Sequence, residues 1–208
     1  MASLDRWRAF CTAFGACGPV EKWYSRLSEA YCQPGRAYHN MKHIGFCLEQ
    51  LESLLPHAER SGALEMAIWF HDAVYRPGAD DNEERSAALA RQAATELGMD
   101  SGFAADVYRL VLATRHKGKP EAADEASICD VDLAVLGASQ DVFEEYEAGI
   151  RQEYSQVEER AYRLERTRVL MNFMTRESIY ATERFRERYD QSARSNLERA
   201  LRRLRDVP

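Results

Sequence analysis

Residues 61–75 read SGALEMAIWFHDAVY, a stretch that is apolar nearly all the way round a helix. A helix without a polar face has to be enclosed by other elements, so this segment predicts the centre of a larger domain. Its surroundings carry the same period. Leu4–Ala13 and Val20–Tyr31 read as helices, and QPGR at 33–36 breaks the chain after them. Ile44, Cys47, Leu48, Leu51, Leu54 and Leu55 then recur at helical spacing until Pro56, with His43 at the edge of the stripe. Ser61 is the expected N-cap of the central helix. RPGADDNEERSA leads as a loop into a helix ending at Gly98, with Asp81 as its expected cap and Glu84 completing a capping box. Further helices are expected over 100–116, closed by KGKP, and over 126–137. From Gln140 the residues Phe143, Tyr146, Ile150, Tyr154, Val157, Val169, Leu170, Phe173 and Met174 keep helical spacing, and a last helix carries Phe185, Tyr189, Ala193, Leu197, Leu201 and Leu204. Strand-like alternation never persists. The expectation is an all-α bundle of about nine helices, one domain over 1–208, with its chemistry in about 36–137 and a helical extension over about 140–205.

Composition narrows the function classes. The chain is 45% hydrophobic and 30% charged, ordinary for a globular domain with a real core. A net charge of −6 argues against a phosphate-tracking surface, so neither nucleic acid nor an anionic membrane is an expected partner. Apolar runs stop at about five residues, well short of the roughly 20 that span a bilayer. MASLDRWRAFCTAFG carries charges where a signal peptide needs an apolar core. The five cysteines, Cys11, Cys17, Cys32, Cys47 and Cys129, form no CxxC, which predicts reduced thiols in a cytoplasmic protein. Whether the chain forms a homo-oligomer is left open.

Three segments place polar side chains on apolar faces. His39 and His43 stand one helical turn apart, as a metal pair, a proton-transfer pair or a core coincidence would. His71–Asp72 lies in the most apolar segment, where a divalent cation would offset the desolvation of both groups; a core histidine with a carboxylate partner is the plainer alternative. On an ideal wheel Asp132 falls at about 40°, between Ile128 and Leu136, and Asp130 at about 200°. Asp132 is therefore expected to point inward and Asp130 outward. Glu83 and Glu84 follow the loop after His71–Asp72, where an acid could position or deprotonate a water; the default for Glu83 is a solvated first-turn acid, and Glu84 already has its place in the capping box. Trp69, Phe70 and Phe143 read as core, and Cys47 as a small buried hydrophobe.

The order His43, His71–Asp72, Asp132 resembles the HD superfamily of metal-dependent phosphohydrolases. RAYHNMKHI, AIWFHDAVYRPGADDNEERSA, ATRHKG, DVDLAVLG, IRQEY and ARSNL together look like a subgroup of small bacterial HD proteins, a resemblance covering about residues 20–205. It implies one divalent cation (manganese, magnesium, cobalt, nickel, zinc or iron) held by His43, His71, Asp72 and Asp132. It also implies hydrolysis of a small phosphate ester, such as a nucleotide, by metal-activated water. YHN before a ligand histidine is similar to the start of the cyclic-nucleotide phosphodiesterase site, which implies His39 as general acid. The continuation HDAVYR departs from the phosphodiesterase and guanosine-tetraphosphate hydrolase patterns, with Tyr75 in place of their histidine or acids. The histidine count fits a mononuclear site. His116 then becomes a phosphate contact or a cation at a helix end, and Lys42, Arg115 and Lys117 become substrate anchors beside Arg36 and Lys119. Arg151 and Arg168 are further cations that could reach the site from later helices. Two other readings stay open: a di-iron HD-type oxygenase, and a non-catalytic module that binds metal and nucleotide.

Overall fold

The computed structural model describes residues 1–205. Ten α-helices follow one another: α1 Leu4–Ala13, α2 Val20–Tyr31, α3 Met41–Leu51, α4 Ser61–Phe70, α5 Asn82–Glu96, α6 Ser101–Ala113, α7 Ala123–Leu133, α8 Gln140–Glu153, α9 Glu159–Met174 and α10 Glu183–Arg205. Single 3₁₀ turns lie at Leu55–His57 and Ala134–Gly137, and no strand occurs among the described residues. The all-helical expectation holds. No helix is long and apolar enough to cross a membrane among the described residues.

α4 is the axis of the bundle. Gly62, Ala63, Leu64 and every residue from Met66 to Phe70 are buried, and α3, α5, α6 and α7 pack around it. Its aromatic end is locked by Trp7 of α1, edge-on to Trp69 at 5.4 Å, and by Trp23 of α2 against Phe70 at 5.9 Å. Trp69, Phe70 and Phe143 are core residues. One continuous core runs from Trp7 in α1 to Leu201 in α10.

Several caps follow the sequence. Ser3, Asn40 and Asp100 accept hydrogen bonds from the first-turn N–H groups of α1, α3 and α6. Others do not. Ser61 is the first residue of α4 and caps nothing; the Asp124 carboxylate reaches from α7 to take the N–H groups of Glu59 and Arg60 instead. Asp81 precedes α5 without a side-chain cap, and Glu84 pairs with Arg115 of the loop after α6, so no capping box forms. A long-range ion pair outcompetes the local bond.

The long pattern from Gln140 is broken at 154–158 into α8 and α9, and Val157 and Val169 are exposed at 37% and 41%. The inward face of α9 is formed by Tyr162, Arg166, Leu170 and Phe173. Asp130 is the clearest departure from the wheel. It is buried, and its carboxylate accepts from Ala181 N, Thr182 N and Thr182 Oγ1 at 2.6–2.7 Å. The segment leading into α10 covers the side of α7 that an isolated helix would show to solvent.

Candidate metal centre

Three helix ends bring the site together. Asn40 caps α3, which puts His43 in its first turn facing α4. α4 ends at Phe70, so His71 is its C-cap and Asp72 stands just beyond, rather than both lying inside a helix that runs to Tyr75. The Arg36 guanidinium fixes the chain just past that end by donating to the carbonyls of Asp72 (2.6 Å) and Ala73 (3.0 Å). Asp132 comes from the last turn of α7.

The resulting distances are those of ligands round a common centre. His43 Nε2 lies 3.0 Å from His71 Nε2, 3.4 Å from Asp72 Oδ2 and 3.4 Å from Asp132 Oδ1. His71 Nε2 lies 3.1 Å from Asp72 Oδ2 and 3.4 Å from Asp132 Oδ1. With metal–ligand bonds of about 2.1 Å, neighbouring ligands sit about 3.0 Å apart in an octahedral arrangement and about 3.4 Å apart in a tetrahedral one. All five separations fall in that interval. His71 Nδ1–H donates to the Ile68 carbonyl at 2.9 Å, which leaves the Nε2 lone pair facing the centre. Two imidazole lone pairs cannot face each other at 3.0 Å without a proton or a cation between them. The donor set therefore fits a divalent ion.

His43, Cys47, His71 and Asp132 form a buried group able to hold a metal ion, their ligand atoms within 4.8 Å of one another. The sequence reading had Cys47 as packing only. Its Sγ is 3.7 Å from both nitrogens of His43, so it rests against the ring rather than along either lone pair. Asp72 Oδ2, 3.4 and 3.1 Å from the two imidazole nitrogens, is a further candidate donor beside that group.

Electrostatics point the same way. Burial disfavours charge on all four groups, and their mutual attraction overcomes it. His43 is pushed down by burial and carried well above the usual imidazole range by Cys47, Tyr38, Asp132 and Asp72. His71 is raised likewise by Asp72 and Asp132. Burial raises Asp72 and Asp132, yet His71, His39 and His43 hold the first well below the carboxylate range, and His116, His43 and His71 hold the second there. The cluster therefore favours positive charge at its centre, as a cation site does.

The centre is open on one side. The His43 and His71 side chains are 1% and 0% exposed, while Asp72 and Asp132 are 18% and 19% exposed. His39 and His116, 19% and 16% exposed, flank that carboxylate side. His116 Nε2–H donates to Asp132 Oδ2 at 2.9 Å from a backbone held at φ 53°, in the left-handed region, so its ring serves Asp132 rather than the end of α6.

His39 is held by a residue that the sequence reading passed over. Glu153, the last residue of α8, accepts His39 Nδ1–H at 2.6 Å on Oε2 and the N–H groups of Tyr38 and His39 at 2.8 and 2.9 Å on Oε1. Tyr75 O–H adds a fourth bond at 2.9 Å and its ring stacks on His39 at 4.1 Å. Burial raises Glu153, but these donors hold it below the carboxylate range. Its only trace in the sequence is the quoted IRQEY.

The remaining expected site residues scatter. Arg115 is engaged by Glu84, Arg36 by backbone carbonyls, Arg151 by Glu159 and Arg168 by Glu165. The Glu83 side chain makes no hydrogen bond or ion pair among the described residues, and neither it nor the Glu84 side chain bonds to the His43, His71, Asp72 and Asp132 group. Lys42 and Lys117 are exposed, and their ammonium groups make no ion pair among the described residues.

No family model, curated protein or solved structure matches the chain. What the site can do follows from its own geometry.

Proposed function

We propose that this protein is a metal-dependent phosphohydrolase of the HD type, acting on a small phosphate ester such as a nucleotide with one divalent cation. The observation that carries the reading is the set of five separations of 3.0–3.4 Å joining His43, His71, Asp72 and Asp132, open on the carboxylate side. A bound divalent ion would polarise the phosphoryl oxygen and acidify a water. His43 and His71 are the closed, inner donors. Asp72 and Asp132 supply negative charge at the open face, and Asp72 also steers the attacking water. His39 protonates the leaving oxygen, and Lys117, exposed beside His116, is available to a phosphate. The five free cysteines fit a reducing, cytoplasmic setting.

The test is a phosphatase screen over nucleotides and sugar phosphates with several divalent metals. We expect turnover with at least one metal, and at least about a 10²-fold loss in Asp72→Ala. Full turnover in that variant sinks the assignment. Tight nucleotide binding without turnover over any metal would establish the non-catalytic alternative instead.

A further inference from the structure

We infer that Glu153 is the positioning residue of the reaction: it holds the His39 ring by its Nδ1–H, so that the second proton of the imidazolium sits on Nε2, free to pass to the leaving oxygen. The inference rests on the phosphohydrolase reading above and adds a residue from outside the ligand-bearing segments.

The Glu153 side chain is 0% exposed, and burying an ionised carboxylate is expensive unless its lone pairs are met. Here two jobs are divided between its oxygens. Oε1 takes two backbone N–H groups and fixes the 38–39 turn. That would suffice for a purely structural acid. Oε2 is directed at chemistry: it takes His39 Nδ1–H at 2.6 Å and Tyr75 O–H at 2.9 Å. The imidazole is thus clamped on its Nδ1 edge, and one face is stacked on Tyr75. Its other nitrogen, Nε2, has no partner among the described residues, and the ring centre is 6.1 Å from that of His43. A ring held on two sides with one free nitrogen beside the ligand group is what a proton donor requires.

The proton inventory closes. The attacking water gives one proton to solvent and keeps the other as its oxygen bonds to phosphorus; as the ester P–O bond breaks, the Nε2 proton of the His39 imidazolium passes to the departing oxygen. His39 is left neutral with its remaining proton on Nδ1, against Glu153 Oε2, and takes a new proton from solvent. Glu153 stays ionised throughout.

Glu153→Gln inverts this preference. The amide oxygen must accept the two backbone N–H groups, so the NH₂ faces Nδ1 and favours the neutral ring protonated on Nε2. That ring is a far weaker acid than the imidazolium. Imidazole ¹⁵N spectra of zinc-loaded protein read the tautomer directly: we expect Nδ1–H in the native neutral ring and Nε2–H in the variant. Turnover supplies the second readout. An alkyl phosphate, whose alkoxide needs the proton, should lose about 10²-fold or more in kcat with KM little changed. p-Nitrophenyl phosphate, whose leaving group needs none, should lose less than about 5-fold. If Glu153→Gln fails to fold, Glu153→Asp, one methylene shorter, should give a mixture of tautomers and an intermediate loss. A native ring protonated on Nε2, or equal losses on the two esters, overturns the proposal. Native protein that hydrolyses neither ester removes the phosphohydrolase reading, and with it the proton delivery, while the tautomer spectra still decide whether Glu153 holds the ring.

Discussion

At Asp132 each carboxylate oxygen has its own task. Oδ1 faces His43 and His71 at 3.4 Å and Oδ2 accepts from His116 at 2.9 Å. A carboxylate fixed on its far oxygen loses little freedom when a cation binds the near one, which is how an outer partner tunes metal affinity. His116→Ala should therefore weaken metal binding about 10–100-fold without unfolding the protein, and Asp132→Ala should weaken it further. Calorimetric titration with zinc and manganese measures both. Unchanged affinity in His116→Ala would return that residue to the role of substrate contact. Asp130, two residues earlier, shows the opposite use of the same side chain. Its burial raises it, and Thr182 and the N–H groups of Ala181 and Thr182 partly offset this. It binds a segment of the chain, with no part in the centre.

The elements are joined by carboxylates that reach across chain breaks. Asp124 of α7 closes the approach to α4, and Asp190 of α10 holds the 178–179 segment through Ser178 Oγ and Ile179 N. Burial raises Asp190, but Arg194, Ile179 N–H and Ser178 bring it below the usual carboxylate range. A group depressed in the folded state stabilises above its unfolded pKa of about 3.9 and loses that contribution as pH falls through the folded value. Urea unfolding should then find Asp190→Asn less stable than native at pH 6, with the gap narrowing below about pH 4. A gap that widens on acidification would contradict the assignment. Helix ends matter as much as the helices. α4 stops at Phe70 because Arg36 and the Ile68 carbonyl engage the next residues, and this stop turns His71 and Asp72 toward one point.

Over the whole molecule the site fastens distant parts of the chain. Its groups come from the 36–43 turn, the ends of α4, α6 and α7, and the end of α8. A cation bound only by the folded state at a hundred times its Kd adds about 2.7 kcal/mol, roughly 5–10 °C in Tm for a chain of this size. Differential scanning fluorimetry with and without a chelator should show that difference in native protein and lose it in Asp132→Ala. A Tm indifferent to chelator in native protein would argue against a structural grip by the ion. The sequence alone determined the helical class, the enclosed central helix and the inward turn of Asp132, because apolar spacing at 3.6 residues is a local property of the chain. His43 and His71–Asp72 were legible for a similar reason, since few ionisable groups survive on apolar faces without compensation, whereas His39 stood out only by its one-turn spacing from His43 and by the resemblance of YHN to a known site. Tertiary structure decided what no local pattern encodes. Glu153 lies over a hundred positions from His39, so no helical spacing links them. Asp130 faces outward on an isolated wheel and inward once the approach to α10 covers it, and Glu84 leaves its own helix for Arg115. Periodicity sets the direction of a side chain, while the partner waiting there is supplied by whichever distant segment packs against it.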